Sequence, residues 1–270
     1  MRDASTSPVA MSCLVTSSPR TGSWLLARSL AATGVAGRPA ECFQPIPYQR
    51  YARARSRPVP VGEYFDHCVA EGTTDNGVLS TILKWNGFRW LLALRRVLAP
   101  APAPVPADAE SADGLFPHPR YVHLYREDTA RQAISWYRAS RTEVWHHHVG
   151  VPAGPDKLDG IEPDYVRIGW LEGLAREHNR RWQDYFACHE ISPLVISYEQ
   201  LEDDVPAATR RVLDFLEVDV PPGFSDYRSD VVRQSDHTTE RWLQTYLCRR
   251  DGLPASPWAP VRGSGAPSTP

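Results

Sequence analysis

Four short runs of apolar and β-branched residues punctuate the chain, at 12–17, 78–84, 121–126 and 193–198, with segments of helical spacing between them. That alternation constrains the fold more than any other feature. Strands separated by helices pair most simply in parallel, with the helices covering both faces of the sheet. The helical segments run from Gly22 to Thr33, over 61–72 and 86–98, from Asp128 to His147, and over 163–190 and 205–218. The first offers Leu25, Leu26, Leu30 and Ala31 for one face and meets Gly34 and Gly37 at its end. In 163–190, Trp170, Leu171, Leu174, His178 and Trp182 recur at helical intervals, and Pro206 suits the first turn of 205–218. The predicted class is α/β: three layers, a mostly parallel sheet flanked by helices, with a P-loop-like first turn. Ligands on such sheets bind beyond the carboxyl ends of the strands.

Composition narrows the partners. The formal net charge is −2 over 270 residues, so no general attraction to nucleic acid or to an anionic membrane is expected. Any anion must be met by a local cluster. Arginine is plentiful, whereas Lys84 and Lys157 are the two lysines. The five cysteines, an odd count without a C-x-x-C pair, fit free thiols in a reducing compartment. The first residues hold no apolar run of signal-peptide length, and no stretch of about 18 apolar residues would span a membrane. A cytoplasmic protein is expected. Residues 99–119, rich in Pro and Ala, have little to bury and are expected to form a surface insert. The tail 251–270 is expected to be disordered.

The first strand-to-helix turn reads Ser17-Ser-Pro-Arg-Thr-Gly-Ser-Trp24. Such a turn presents unpaired N–H groups at the positive end of a helix dipole, which suits an anion. Gly22 permits close approach of the backbone, Ser18, Thr21 and Ser23 carry hydroxyls, and Arg20 brings a planar cation. A plain polar turn capped by a serine accounts for the same residues. The G-x-x-x-x-G-K-[ST] pattern is absent, which disfavours nucleoside triphosphate hydrolysis.

Ser-Pro-Arg-Thr-Gly-Ser at 18–23 resembles the 5′-phosphosulfate loop of sulfotransferases. TGVAGRPAECFQP at 33–45, LKWNGFRWLL at 83–92, YREDTARQAISWYRA at 125–139 and VVRQSDHTTERWLQTY at 231–246 are similar, in order, to the bacterial trehalose 2-sulfotransferase family. The resemblance implies one sulfotransferase domain over residues 1–250, a homodimer, and 3′-phosphoadenosine 5′-phosphosulfate as co-substrate. It implies that Arg20 neutralises charge on the leaving phosphate, with amide donors from Thr21, Gly22, Ser23 and Trp24. Arg126 and Ser135 would hold the 3′-phosphate. Many sulfotransferases place that pair eight residues apart; here the separation is nine and Glu127 intervenes, so Arg131 is a second candidate cation. Asp128 as a mere helix cap, with Ser135 a bystander, fits the same stretch. Arg233 lies in the segment that resembles the family's late nucleotide-closing element, and an exposed surface arginine fits as well.

An acceptor hydroxyl ionises far above neutral pH, so a base must take its proton. Glu41 matches the glutamate proposed for that task in the trehalose-type family; the alternative is a surface glutamate after Pro39. Lys84, at the carboxyl end of the 78–84 strand, is placed to assist the leaving oxygen, if it is not simply solvated. The acceptor implied is a carbohydrate or glycosylated small metabolite, with its pocket built from loops such as 48–60 and 99–119. Arg50, Arg53, Arg55 and Arg57 either attract an acidic acceptor or form an exposed basic loop. His146, His147 and His148 cannot converge on one ion while helical, and charge at a helix C-terminus explains them; no metal is assigned. The tryptophans read chiefly as core, with one or two available to stack on a ring. Two rivals stand beside the sulfotransferase: a kinase-like transferase, which would need Mg²⁺ ligands and a loop lysine, and a non-catalytic nucleotide-binding relative, which would not need Glu41.

Overall fold

The computed structural model describes residues 9–98, 114–145, 161–224 and 237–252. Four strands, β1 (Met11–Ser17), β2 (Val78–Lys84), β3 (Pro119–Tyr125) and β4 (Leu194–Ser197), form one sheet in the order β2-β1-β3-β4. Every pairing is parallel. The chain leaves β1 toward one side to form β2, then returns past it to form β3. Beyond the carboxyl end of β1 the connections therefore diverge, which opens a crevice.

β1 is buried on both faces, which is why MSCLVTS reads as a continuous run without polar alternation. Cys13 and Val15 face one layer with Leu26, Leu30, Ile196, Leu201, Val212 and Leu216. That layer consists of α1 (Ser23–Thr33), α7 (Tyr198–Asp203) and α8 (Val205–Leu216). Leu14, on the opposite face, packs with Leu83, Phe88, Leu91, Trp182, Tyr185 and Phe186. These come from α4 (Trp85–Leu98) and the 24-residue α6 (Tyr165–Cys188), with α3 (Val61–Gly72) alongside. Off the sheet, α5 (Thr129–Thr142) and α9 (His237–Arg249) pack with α6 through Ile134, Tyr137, Ile168, Leu171, Trp242 and Tyr246. Buried Glu172 on α6 fastens this bundle, accepting from Thr129 Oγ1 at 2.8 Å and from the Tyr246 hydroxyl at 2.5 Å.

Several expectations need correction. The stretch 48–60 is not all loop, because α2 occupies Pro45–Arg53. Its prolines lie in the first turn, where a missing N–H costs nothing. The fifth helix stops at Thr142 rather than His147, because Glu143 turns left-handed at φ 59°. His146, His147, His148 and residues 99–113 lie outside the described residues. Within the 99–119 segment Phe116 is buried against Phe43, with ring centroids 5.5 Å apart, while Gly114, Pro117 and His118 are exposed, and Pro119 opens β3. Among the described residues no helix is long and apolar enough to cross a membrane.

Candidate active site

Strand register assembles the site. Ser17 at the end of β1 pairs with Lys84 at the end of β2 on one side and with Leu124 of β3 on the other. Arg126 follows two residues later. Residues distant in sequence thus meet at one edge.

The 18–23 turn is shaped by two left-handed residues, Arg20 at φ 67° and Gly22 at φ 77°. Gly22 is the N-cap of α1, and no side chain caps that helix. The capping serine considered for this turn is therefore not there. Any Cβ on Gly22 would sit 2.8 Å from Tyr198 Cδ2, so the position excludes side chains by space as well as by backbone. The first-turn amides of α1 face the crevice end with the positive pole of the helix.

The hydroxyls here are largely occupied by the protein. Thr21 Oγ1 donates to Ser18 O at 3.0 Å. Ser18 Oγ accepts from Gln132 Nε2 at 2.8 Å, and the same amide reaches Pro19 O at 2.6 Å. Ser23 Oγ accepts from Lys84 Nζ at 2.6 Å. Lys84 also donates to Ser17 Oγ at 2.8 Å and Ser18 O at 3.2 Å, so its ammonium sits inside the turn. Burial pulls its pKa down from 10.5 to about 8; Glu41 opposes that fall and Arg20 adds to it. Lys84 is charged at neutral pH, but barely stabilised as such by the protein.

Arg20 reaches away from Lys84, toward α5. Its Nε donates to Ser135 Oγ at 2.9 Å, and its Nη1 donates to the Trp145 carbonyl. Burial lowers its pKa to about 10, and the neighbouring cations Arg126 and Arg138 push the same way. Arg126 is only 7% exposed, lies 4.2 Å over the Tyr198 ring and has Glu199 at 3.9 Å. Its Nε is buried without a hydrogen-bond partner. The guanidinium groups of Arg20, Arg126 and Arg138 and the Lys84 ammonium act on one another in this region, and the charges of Glu199, Asp128, Glu202 and Glu41 partly offset them. The field there is that of a polyanion site.

Arg131 stands apart. It is tied to Asp128, at 3.1 Å, and to Glu240 of α9. Asp128 caps α5 by accepting from Arg131 N at 2.8 Å, so the cap reading of Asp128 holds together with Ser135 facing Arg20. Arg233 lies outside the described residues.

Glu41 is carried to this edge by a segment laid along β2. Ala40 O accepts from Ile82 N and from Thr81 Oγ1, each at 3.0 Å, and Ser80 Oγ donates to Ala36 O. Gly37 makes the approach possible, since a Cβ there would lie 2.5 Å from Ser80 N. Glu41 Oε1 accepts from Gln44 Nε2 at 2.6 Å, and its charge acts on Lys84.

Gln132, Arg138, Tyr198 and Glu199 escaped the sequence reading. Gln132, Ser135 and Arg138 recur at intervals of three on one helix, a polar stripe that was a usable signal. Tyr198 and Glu199 begin α7, which had no such signal. Among the described residues no group of three His, Cys, Asp or Glu side chains could hold a metal.

An uncapped helix turn with a lysine inside it and arginines nearby can hold an anionic group and stabilise charge on a leaving group. Comparison with known proteins points the same way. The family profile described as Stf0 sulphotransferase matches residues 12–251. Trehalose 2-sulfotransferase of Mycolicibacterium smegmatis is 28% identical over 268 residues, covering 89% of this chain and 97% of that protein. The enzyme of the same name from Mycobacterium tuberculosis is 29% identical over 269 residues, with the same coverage. A solved sulfotransferase from Alicyclobacillus acidocaldarius aligns over 94% of this chain and 99% of its own at a TM-score of 0.45 and 11% identity, too remote a likeness to bear on the site. Since the profile spans the whole sheet and every element that carries the cation cluster, this chain belongs to the Stf0 sulphotransferase family.

Proposed function

We propose that the chain moves a sulfuryl group from 3′-phosphoadenosine 5′-phosphosulfate to a hydroxyl of a carbohydrate, with adenosine 3′,5′-bisphosphate as the other product. The observation that carries this reading is buried positive charge on both sides of the β1 carboxyl end: Lys84 within the 18–23 turn, and Arg126, whose Nε makes no hydrogen bond, across from it. The names of the two curated relatives support the carbohydrate acceptor.

In such a transfer the acceptor oxygen bonds to sulfur while the bond from sulfur to the 5′-phosphate oxygen breaks. As in phosphoryl transfer, catalysis is chiefly positioning and charge stabilisation. The first-turn amides of α1 and Lys84 Nζ would meet the negative charge that grows on the 5′-phosphate. Arg20 would serve both ends: its backbone shapes the turn, and its guanidinium, on Ser135, lies on the side of Arg126. Arg126, Ser135 and Arg20 would hold the 3′-phosphate, while Arg131 holds α5 to α9. Glu41 would take the acceptor proton, a role that its place beside Lys84 at this edge supports. The five unbridged cysteines support a reducing compartment, the cytoplasm, and the family resemblance a homodimer.

The test is mass spectrometry of the purified protein incubated with the phosphosulfate donor and a panel of sugars that includes trehalose. A product heavier by one sulfuryl group, with stoichiometric adenosine 3′,5′-bisphosphate, is expected. Donor left intact with every sugar overturns the reading.

A further inference from the structure

The 18–23 turn is clamped from two sides. Lys84, at the end of β2, donates to Ser17 Oγ, Ser18 O and Ser23 Oγ. From the other side α5 holds residues 18–20. Gln132 Nε2 donates to Ser18 Oγ at 2.8 Å and to Pro19 O at 2.6 Å. One turn further along α5, Ser135 Oγ accepts from Arg20 Nε at 2.9 Å. Gln132 and Ser135 are three residues apart, so one face of the helix makes both attachments. The same helix begins three residues after Arg126 and is capped by Asp128. Its first two turns therefore join the Arg126 side of the crevice to the turn at the end of β1.

Gln132 is fully buried, and its Oε1 has no hydrogen-bond partner. A carbonyl such as Pro19 O only accepts, so the amide must present its NH₂ to the turn and leave its own oxygen unmatched. An apolar side chain of the same size would fill the space without a buried, unmatched acceptor. What glutamine alone adds is the pair of donations. They land on the two residues just before Arg20, whose backbone is left-handed at φ 67°. Such a conformation in an arginine persists only where the surroundings hold it. Here α5 holds it twice, through Pro19 O before the residue and through the guanidinium after it.

We propose that Gln132 is a positioning residue that ties the 18–23 turn to α5, so that a 3′-phosphate held on the Arg126 side fixes the geometry in which the 5′ side is gripped. This rests on the sulfotransferase reading and deepens it: the 3′-phosphate of the donor contributes to turnover as well as to affinity, and Gln132 is the link through which it does so.

The test is a double-mutant cycle on kcat at saturating donor, with the sugar that the wild type sulfates fastest in the panel above. Gln132→Met keeps the size and removes both donors; Arg126→Gln removes the cation on the 3′ side. Each alone is expected to lower kcat about tenfold, and the two together by little more than either, because both break one link. KM for the sugar is expected to stay within about twofold in Gln132→Met, since Gln132 faces the turn and not the acceptor. Gln132→Glu has the same shape and no donor for Pro19 O once ionised; it is expected to repeat the pattern, and it carries the cycle if Gln132→Met does not fold. A purely structural Gln132 predicts a lower Tm with kcat unchanged, or losses that multiply to about a hundredfold in the double variant. Either result overturns the proposal and leaves the sulfotransferase reading intact, as does a wild-type kcat in Arg126→Gln. Donor left intact by the wild type with every sugar overturns both.

Discussion

Replacing Lys84 by Met tests how much the fold gives up to keep a charge in the turn. The ammonium is fully buried and its pKa falls from 10.5 to about 8. At about 1.4 kcal/mol for each tenfold in proton affinity, holding it charged costs the empty protein about 3 kcal/mol at pH 7. Between about pH 8 and 10.5 the unfolded chain keeps this proton and the native chain does not. The unfolded state binds more protons there, so the Lys84 contribution raises stability with increasing pH across that window and is level below it. Lys84→Met removes the group and its donations to Ser17, Ser18 and Ser23. Urea unfolding of both proteins at pH 7, 8, 9 and 10 isolates the effect, because other titrating groups cancel in the difference. The stability gap should shift toward the wild type by about 2–3 kcal/mol from pH 8 to pH 10 and stay constant from pH 7 to pH 8. Turnover of the variant at pH 7 should fall by about 10²–10³, the loss expected when a group facing a developing oxyanion is removed. A gap that does not change with pH, or a variant with ordinary turnover, would refute the reasoning about this lysine.

Other predictions follow from the same geometry. Glu41→Gln should reduce kcat by about 10²–10⁴ while leaving calorimetric affinity for adenosine 3′,5′-bisphosphate unchanged; ordinary turnover removes Glu41 as the base. Gly22→Ala forces a side chain into left-handed backbone 2.8 Å from the Tyr198 ring, so Tm should fall by several degrees and nucleotide affinity by about tenfold or more. Arg126→Gln should weaken binding of adenosine 3′,5′-bisphosphate by about 10²-fold without lowering Tm, because it removes a buried and incompletely paired cation. Arg131→Gln should keep nucleotide affinity and lower Tm slightly, since its partially exposed pairs with Asp128 and Glu240 only fasten α5 to α9.

The parts of this fold that local chemistry dictates were legible in the sequence. All four strands lie within two residues of the expected spans, because apolar β-branched runs between turn residues have few other uses. The turn at 18–23 was equally readable, since Gly22 and the hydroxyls around it mark a strand-to-helix junction. Helix ends were harder. Glu143 stops α5 in a conformation usually left to glycine, and nothing in Thr-Glu-Val announces it. The prolines of 45–53 look like loop chemistry, yet both stand where a helix begins. The site was legible only as separate pieces. That Lys84 inserts between Ser17 and Ser23, that Arg20 reaches Ser135, and that Tyr198 props Arg126 all depend on strand order and register. A period-two or period-3.6 pattern carries neither.

The central claim is that positive charge on the two sides of the β1 carboxyl end grips the two ends of one nucleotide. Calorimetry with adenosine 3′,5′-bisphosphate and with adenosine 5′-monophosphate, at one ionic strength, tests it most directly. The account predicts that the bisphosphate binds at least about 100-fold more tightly, and that Arg126→Gln removes most of that advantage. Equal affinities for the two nucleotides, or an advantage that survives without Arg126, would contradict it.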